Sequence, residues 1–225
     1  MAVEDRSRRR AACQELLTIR AEQGIPGPSG PDPAAGDPYD LWADAHRWMM
    51  ASSPAEADSL NGTIAARLGE HELAAAESAR LLTGVETTLR RLRDLRIEVA
   101  IISNNATEAI YRALKANRME GFVTKVFGRE PGCDLAALKP SPTLLCNALS
   151  ELGVASDRAL FAGDSITDMV AGRAAGIPTV GVLGHSRDGR EALIAAGAVQ
   201  VVATFADLGP LLEDGATEPP RTGLW

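Results

Sequence analysis

The chain has 225 residues, 45% of them hydrophobic and 24% charged, with a net charge of -7. This is enough for one good core, or a core with a small second unit. The acidic balance gives no support to a nucleic-acid partner, and no apolar run approaches the ~20 residues that span a bilayer. MAVEDRSRRR is charged and has no apolar segment behind it, so it does not read as a secretory signal. Cys13, Cys133 and Cys146 are widely spaced and odd in number, with no CxxC, and His46, His71 and His185 show no ligand spacing. Reduced, mostly buried thiols in a cytoplasmic protein are expected.

In chain order, residues 7 to 23 predict a helix with Cys13, Leu16, Leu17 and Ala21 on one face and Gly24 as its stop. GIPGPSGPDPAAGDP, 24 to 38, is too rich in proline and glycine for a regular element and predicts a mobile connection. Helical patterns follow over roughly 39–51, 55–68 and 70–82. The first carries Leu41, Trp42, Ala45, Trp48 and Met49, a stripe that predicts helix packing. From residue 84 the pattern changes to helices alternating with short apolar runs. Helix 85–95 leads to IEVAIIS, helix 107–117 to FVTKVFG, helix 142–152 to RALFAGD, helix 167–175 to PTVGV, and helix 189–196 to AVQVVATF. That alternation predicts βαβ units in a doubly wound α/β fold with a mainly parallel sheet, its strands covered on both faces. The chain divides into an all-helical segment over 7–82, an α/β core over 83–212 and a disordered tail over 213–225. There is no internal repeat.

In open α/β sheets, ligands bind beyond the carboxyl ends of the strands, so three strand ends matter most. After IEVAII comes Ser103-Asn104-Asn105, where a hydroxyl and successive N–H groups can hold a phosphate oxygen or simply form a capped turn. In LKPSP, Pro140 biases Lys139 toward an extended backbone. Its ammonium can then neutralise an oxyanion at the sheet mouth or lie solvated on the surface. After RALFA come Gly163, Asp164, Ser165 and, in the first turn of the next helix, Asp168. Two acids so placed suit Mg2+, which takes one or two protein carboxylates plus waters and a substrate phosphate. They also suit a helix N-terminus.

The order of these three groups resembles the haloacid dehalogenase superfamily of phosphotransferases. Ser103 fits its second motif, Lys139 its third and GDSITD its fourth. AIISNN, LKPSP and FAGDSITDMVAGRAAGIPTVGV look like its phosphoglycolate-phosphatase-like branch, over about residues 7 to 205. The resemblance implies a Rossmann-like core with an α-helical cap over 7–82, and a Mg2+-dependent phosphatase acting on a small phosphorylated metabolite. It implies phosphate binding by Ser103, the Asn104 amide and Lys139, and metal binding by Asp164, with Asp168 in support.

One departure is visible. The family's first motif, a hydrophobic strand ending in D-x-D, supplies the phosphorylated nucleophile and the general acid, and stands just before the first cap helix. Here only Glu4 and Asp5 precede that helix, and both read as acids favoured by its dipole. The resemblance therefore implies that the central strand of the sheet and the nucleophile are missing from these residues. Two strand edges would stand open, at on the order of 1–3 kcal/mol for each buried unpaired group. The expectation is a phosphatase whose first motif lies upstream of Met1. The alternative is a catalytically inactive relative that binds a phosphorylated ligand or a partner protein. Dehalogenation is disfavoured by the retained acid pair, and a mutase would need the same D-x-D.

Overall fold

The computed structural model describes residues 6–28, 32–184 and 186–209. Glu4, Asp5, His185 and the tail over 213–225 lie outside them.

Helix α1 (Arg6–Glu22) packs its Cys13, Leu16 and Ile19 face inward. The following connection is less loose than its composition suggests. A 3-10 turn at Pro33–Ala35 buries Ala34, and the Arg9 guanidinium donates to the Ala35 carbonyl at 3.3 Å. Helix α2 (Pro38–Ser52) starts where Asp37 accepts the Tyr39 N–H at 2.9 Å, with proline in the first turn. Its Leu41, Trp42, Ala45 and Met49 are buried, so the aromatic stripe is packing. The two helices expected at 55–68 and 70–82 are one, α3 (Pro54–Ser78). Gly69 reads as a break because glycine costs about 1 kcal/mol in a helix. Burial of Leu60, Ile64, Leu68 and Ala76 along one face outweighs it.

Helices α1 to α3 share one apolar cluster, which runs on into Leu138 and Leu144 and touches Ile102. The helical segment is therefore seated on the α/β part through a common core.

That part alternates as expected: α4 (Val85–Asp94), β1 (Ala100–Ala106), α5 (Thr107–Ala116), β2 (Lys125–Arg129), α6 (Thr143–Leu152), β3 (Phe161–Gly163), α7 (Ile166–Ala174), β4 (Thr179–Val182), α8 (Arg190–Ala196) and β5 (Gln200–Val202). Gly84 opens α4 at φ +86, with its α-carbon so close to Ala206 that a Cβ would lie 2.6 Å from the Ala206 nitrogen. All strand pairs are parallel, but they form two sheets, β1-β2 and β3-β4-β5. Among the described residues no ladder joins β1 to β3. Side chains join them instead: Ile102, Leu145, Phe161, Ala171 and Ile177 form one cluster. The central β4 is buried at every position, whereas β1 and β3, facing one another as sheet edges, are mostly half-buried.

Two further expectations are corrected. Cys13 is buried, but Cys133 is half-buried and Cys146 exposed, because Cys146 falls on the outer face of α6. Ser103 to Asn105 do not follow β1 but lie within it, beyond a break in register after Ile102.

Candidate active site

Asp164 stands at the tip of β3 and Asp168 in the first turn of α7. Ser165 caps that helix. Its Oγ accepts from the Asp168 N–H at 3.2 Å and donates to Asp168 Oδ2 at 2.7 Å. The same Oδ2 accepts the N–H groups of Asp164 at 3.1 Å and Ser165 at 3.2 Å, a reciprocal capping box. Gly163 is required beside it, since a Cβ there would lie 2.4 Å from the Asp168 Cβ.

The other oxygen, Oδ1, accepts from Lys139 Nζ at 2.6 Å, with the two side chains only 12% and 6% exposed. Lys139 reaches in from the loop before α6. The loop is held by Asn104, whose Oδ1 accepts the Lys139 N–H at 2.8 Å while its Nδ2 donates to the Lys139 carbonyl at 3.0 Å. Lys139 Nζ also donates to the Ile102 carbonyl at 3.2 Å and lies 5.7 Å from the Phe161 ring. One ammonium thus ties the end of the first sheet to the start of α7, across the interval between the sheets.

Ser103 is half-buried, and its Oγ accepts the Asn105 N–H at 3.2 Å, so its own hydrogen remains for donation. The loop after β4 closes the far side. Ser186 Oγ donates to the Asp164 carbonyl, and Asp188 Oδ2 accepts the Ile166 N–H at 2.8 Å. Its neighbour Arg187 pairs with Asp37 of the helical segment at 2.5 Å.

The two aspartates differ sharply. Burial by itself would raise the Asp168 carboxyl, but the Lys139 charge and hydrogen bond, with the Ser165 hydroxyl, hold it below its ordinary 3.8. The Asp164 carboxyl is pushed above 3.8, by burial first and by the Asp168 charge second. Its carboxylate accepts no hydrogen bond from another described residue. A cation would relieve that penalty. Asp164 thus fits a Mg2+ ligand, an ion that would take most of its remaining shell from other oxygen donors. Asp168 fits behind it, since both its oxygens are engaged. Among the described residues no group of three or more His, Cys, Asp and Glu could hold a metal by itself.

The family model for haloacid dehalogenase-like hydrolases matches residues 47–182, more than half the chain. The chain belongs to the haloacid dehalogenase-like hydrolase family. The phosphoglycolate phosphatase of Yersinia pestis is 30% identical over 136 residues, 60% of this chain and 57% of its own length. The chain spans about half the length of the curated relatives it matches. A hydrolase from Pseudomonas syringae has a similar structure, with a TM-score of 0.66 and 20% identity over 93% of this chain and 92% of its own. CbbY from Rhodobacter sphaeroides, crystallised with phosphate, gives a TM-score of 0.62 at 18% identity, covering 92% of this chain and 91% of its own. At those identities both show a haloacid dehalogenase-like fold and nothing finer.

Within that fold, Ser103, Asn104, Lys139, Asp164 and Asp168 gather at one mouth, with Lys139 and Asp168 in direct contact. Sequence reasoning missed the Asn104 side-chain clamp, the Ser165 cap and the Ser186–Asp188 loop. Only Ser165 carried a local signal, the Ser-x-x-Asp spacing of a capping box.

Proposed function

We propose that the protein is a cytoplasmic, Mg2+-dependent phosphatase acting on a small phosphorylated metabolite, of the phosphoglycolate-phosphatase kind. The observation that carries this reading is the Lys139 ammonium, held between Ile102 and Asp168 beside the buried Asp164 carboxylate. In this reading Ser103 and the Asn104 amide donate to phosphate oxygens, and Lys139 neutralises their charge. Asp164 holds Mg2+, and Asp168 fixes both Lys139 and the Asp164 backbone. When bound, Mg2+ supplies charge neutralisation at the transferred phosphoryl group. These residues position and neutralise; none of them is the attacking group.

The competing reading is an inactive relative that binds a phosphorylated ligand or a partner protein. One observation favours it: Asp168 is wholly committed to Lys139 and the helix cap, so only Asp164 of the pair accepts no hydrogen bond from another described residue. Phosphate release from 2-phosphoglycolate and from an aryl phosphate, with Mg2+ or with EDTA, separates the two. In a protein that carries the first motif ahead of these residues, Mg2+-dependent release that disappears in Asp164→Asn is expected. A protein that binds inorganic phosphate yet hydrolyses no phosphomonoester would overturn the phosphatase reading in favour of the second.

A further inference from the structure

The break in the β1–β2 ladder raises an accounting problem. Ile102 pairs with Phe127 and Ala106 with Arg129, so four residues of β1 pass while β2 advances by two. The surplus residues, Ser103 to Asn105, are the candidate phosphate grip. Their backbone groups have left the regular ladder and must find partners in other protein groups or in solvent.

Side chains take up two backbone groups at this break, one within the stretch and one at its end. The Asn104 carbonyl accepts from Arg129 Nε at 3.2 Å. The Ala106 N–H donates to Glu72 Oε2 at 2.7 Å, although Glu72 belongs to α3 of the helical segment. Arg129 Nη2 pairs with the same Glu72 oxygen at 2.8 Å, and these side chains are only 4% and 9% exposed. Arg129 Nη1 donates to the Ala65 carbonyl at 2.9 Å, and its guanidinium lies 5.3 Å from the Trp42 ring. Tyr39 donates its hydroxyl hydrogen to Glu72 Oε1 at 2.6 Å, and the hydroxyl lies 3.1 Å from Asn105 Oδ1. Every polar atom of Glu72 and Arg129 is turned to protein, so neither is placed to touch a ligand.

We propose that Glu72 and Arg129 are positioning residues for the phosphate grip: a buried ion pair, half of it from the helical segment, replaces the missing ladder bonds and sets the shape of Ser103–Asn105. The seat of the helical segment and the geometry of the grip are then one unit. Displacing α3 removes the acceptor of the Ala106 N–H, so the segment cannot lift without loosening the grip. This rests on reading Ser103 and Asn104 as phosphate-binding.

The test compares Glu72→Ala, Glu72→Gln, Arg129→Lys and the unsubstituted full chain. It reads the Kd for inorganic phosphate and amide hydrogen exchange at Asn105 and Ala106, with Val180 and Val201 as distant references. Glu72→Ala removes the acceptor. It is expected to raise the phosphate Kd about fivefold or more and to speed exchange at Ala106 by a similar factor, the reference amides staying level. Glu72→Gln keeps a carbonyl oxygen for the Ala106 N–H and should restore both readouts to within about twofold. Arg129→Lys keeps the charge but loses the fork to Asn104 and Ala65, so it should behave like Glu72→Ala. Equal losses in Glu72→Ala and Glu72→Gln, or exchange that rises everywhere alike, would overturn positioning in favour of a merely structural pair. Where the unsubstituted protein binds no phosphate, the phosphate reading itself fails, and exchange at Asn105 and Ala106 decides the positioning alone.

Discussion

The Lys139–Asp168 pair gives the sharpest prediction. Lys139→Met keeps the length and apolar stem of the side chain and removes its charge. Three things are lost: the partner of Asp168 Oδ1 at 2.6 Å, the donor to the Ile102 carbonyl at 3.2 Å, and the cation beside Phe161. Breaking a buried pair from one side typically costs 3–5 kcal/mol. Asp168 Oδ2 keeps its two N–H donors and the Ser165 hydroxyl, so the lower end, about 3 kcal/mol, is expected. For a chain of this size that is a fall in thermal midpoint of about 6–12 °C. The pH dependence follows in sign. Asp168 sits below its ordinary 3.8 when folded. The stability it contributes is therefore full above that value and lost as pH falls through the lower, folded one. The gap between wild type and Lys139→Met should be widest at neutral pH and close under acid. Thermal melts from pH 7 down to pH 3 measure it, and Asp168→Asn on the Lys139→Met background should recover part of the loss. A drop of under about 2 °C at pH 7, or a gap that does not depend on pH, would refute the buried pair.

Two further outcomes are expected. In protein freed of metal with EDTA, Asp164→Asn should raise the thermal midpoint at pH 7, because a folded pKa above 3.8 means that the charged form is held at a cost. That cost is present above the folded pKa and relieved below it, so the advantage should shrink as pH falls; melts across pH 7 to 4 that show a loss at neutral pH would contradict it. Gly163→Ala should cost about 1–3 kcal/mol by overpacking, since its Cβ would meet the Asp168 side chain at 2.4 Å. Phosphate affinity should fall with it, and chemical denaturation together with phosphate titration would expose an unaffected protein.

Much of the fold is legible because its elements announce themselves locally. The runs around Ile101, Val126, Val180 and Val201 are apolar and carry β-branched residues, and each becomes a strand. Ser165 and Asp168 carry the capping-box spacing, and α7 begins there. The illegible parts were decided at long range. Asn104-Asn105 reads as a turn because asparagine favours one. The strand continues because Glu72, 34 residues from Ala106, and Arg129, 25 residues from Asn104, supply hydrogen bonds to it. The family resemblance points Lys139 at a phosphate and Asp168 at a metal. Nothing in the spacing shows that two residues 29 apart meet at 2.6 Å. The separation of the strands into two sheets is likewise a matter of what lies between Ile102 and Phe161, where α6 contributes Leu145.

The unequal pair of aspartates bears most directly on chemistry. Two carboxylates four residues apart at one helix N-terminus have been driven in opposite directions by their surroundings. Asp168 is satisfied by a cation, a hydroxyl and two N–H groups, as a group held for structure would be. Asp164 is buried with no hydrogen bond from another described residue, next to a like charge. A fold has no stability reason to retain that arrangement, because an asparagine would relieve it. Groups kept at such a cost mark functional positions more often than chance. Lys139 is in direct contact with Asp168 and acts on Asp164 only through its charge, so a bound Mg2+ is proposed as the cation that Asp164 would hold. The acid that the structure leaves unsatisfied, more than the one it satisfies, is therefore the better indicator of the site.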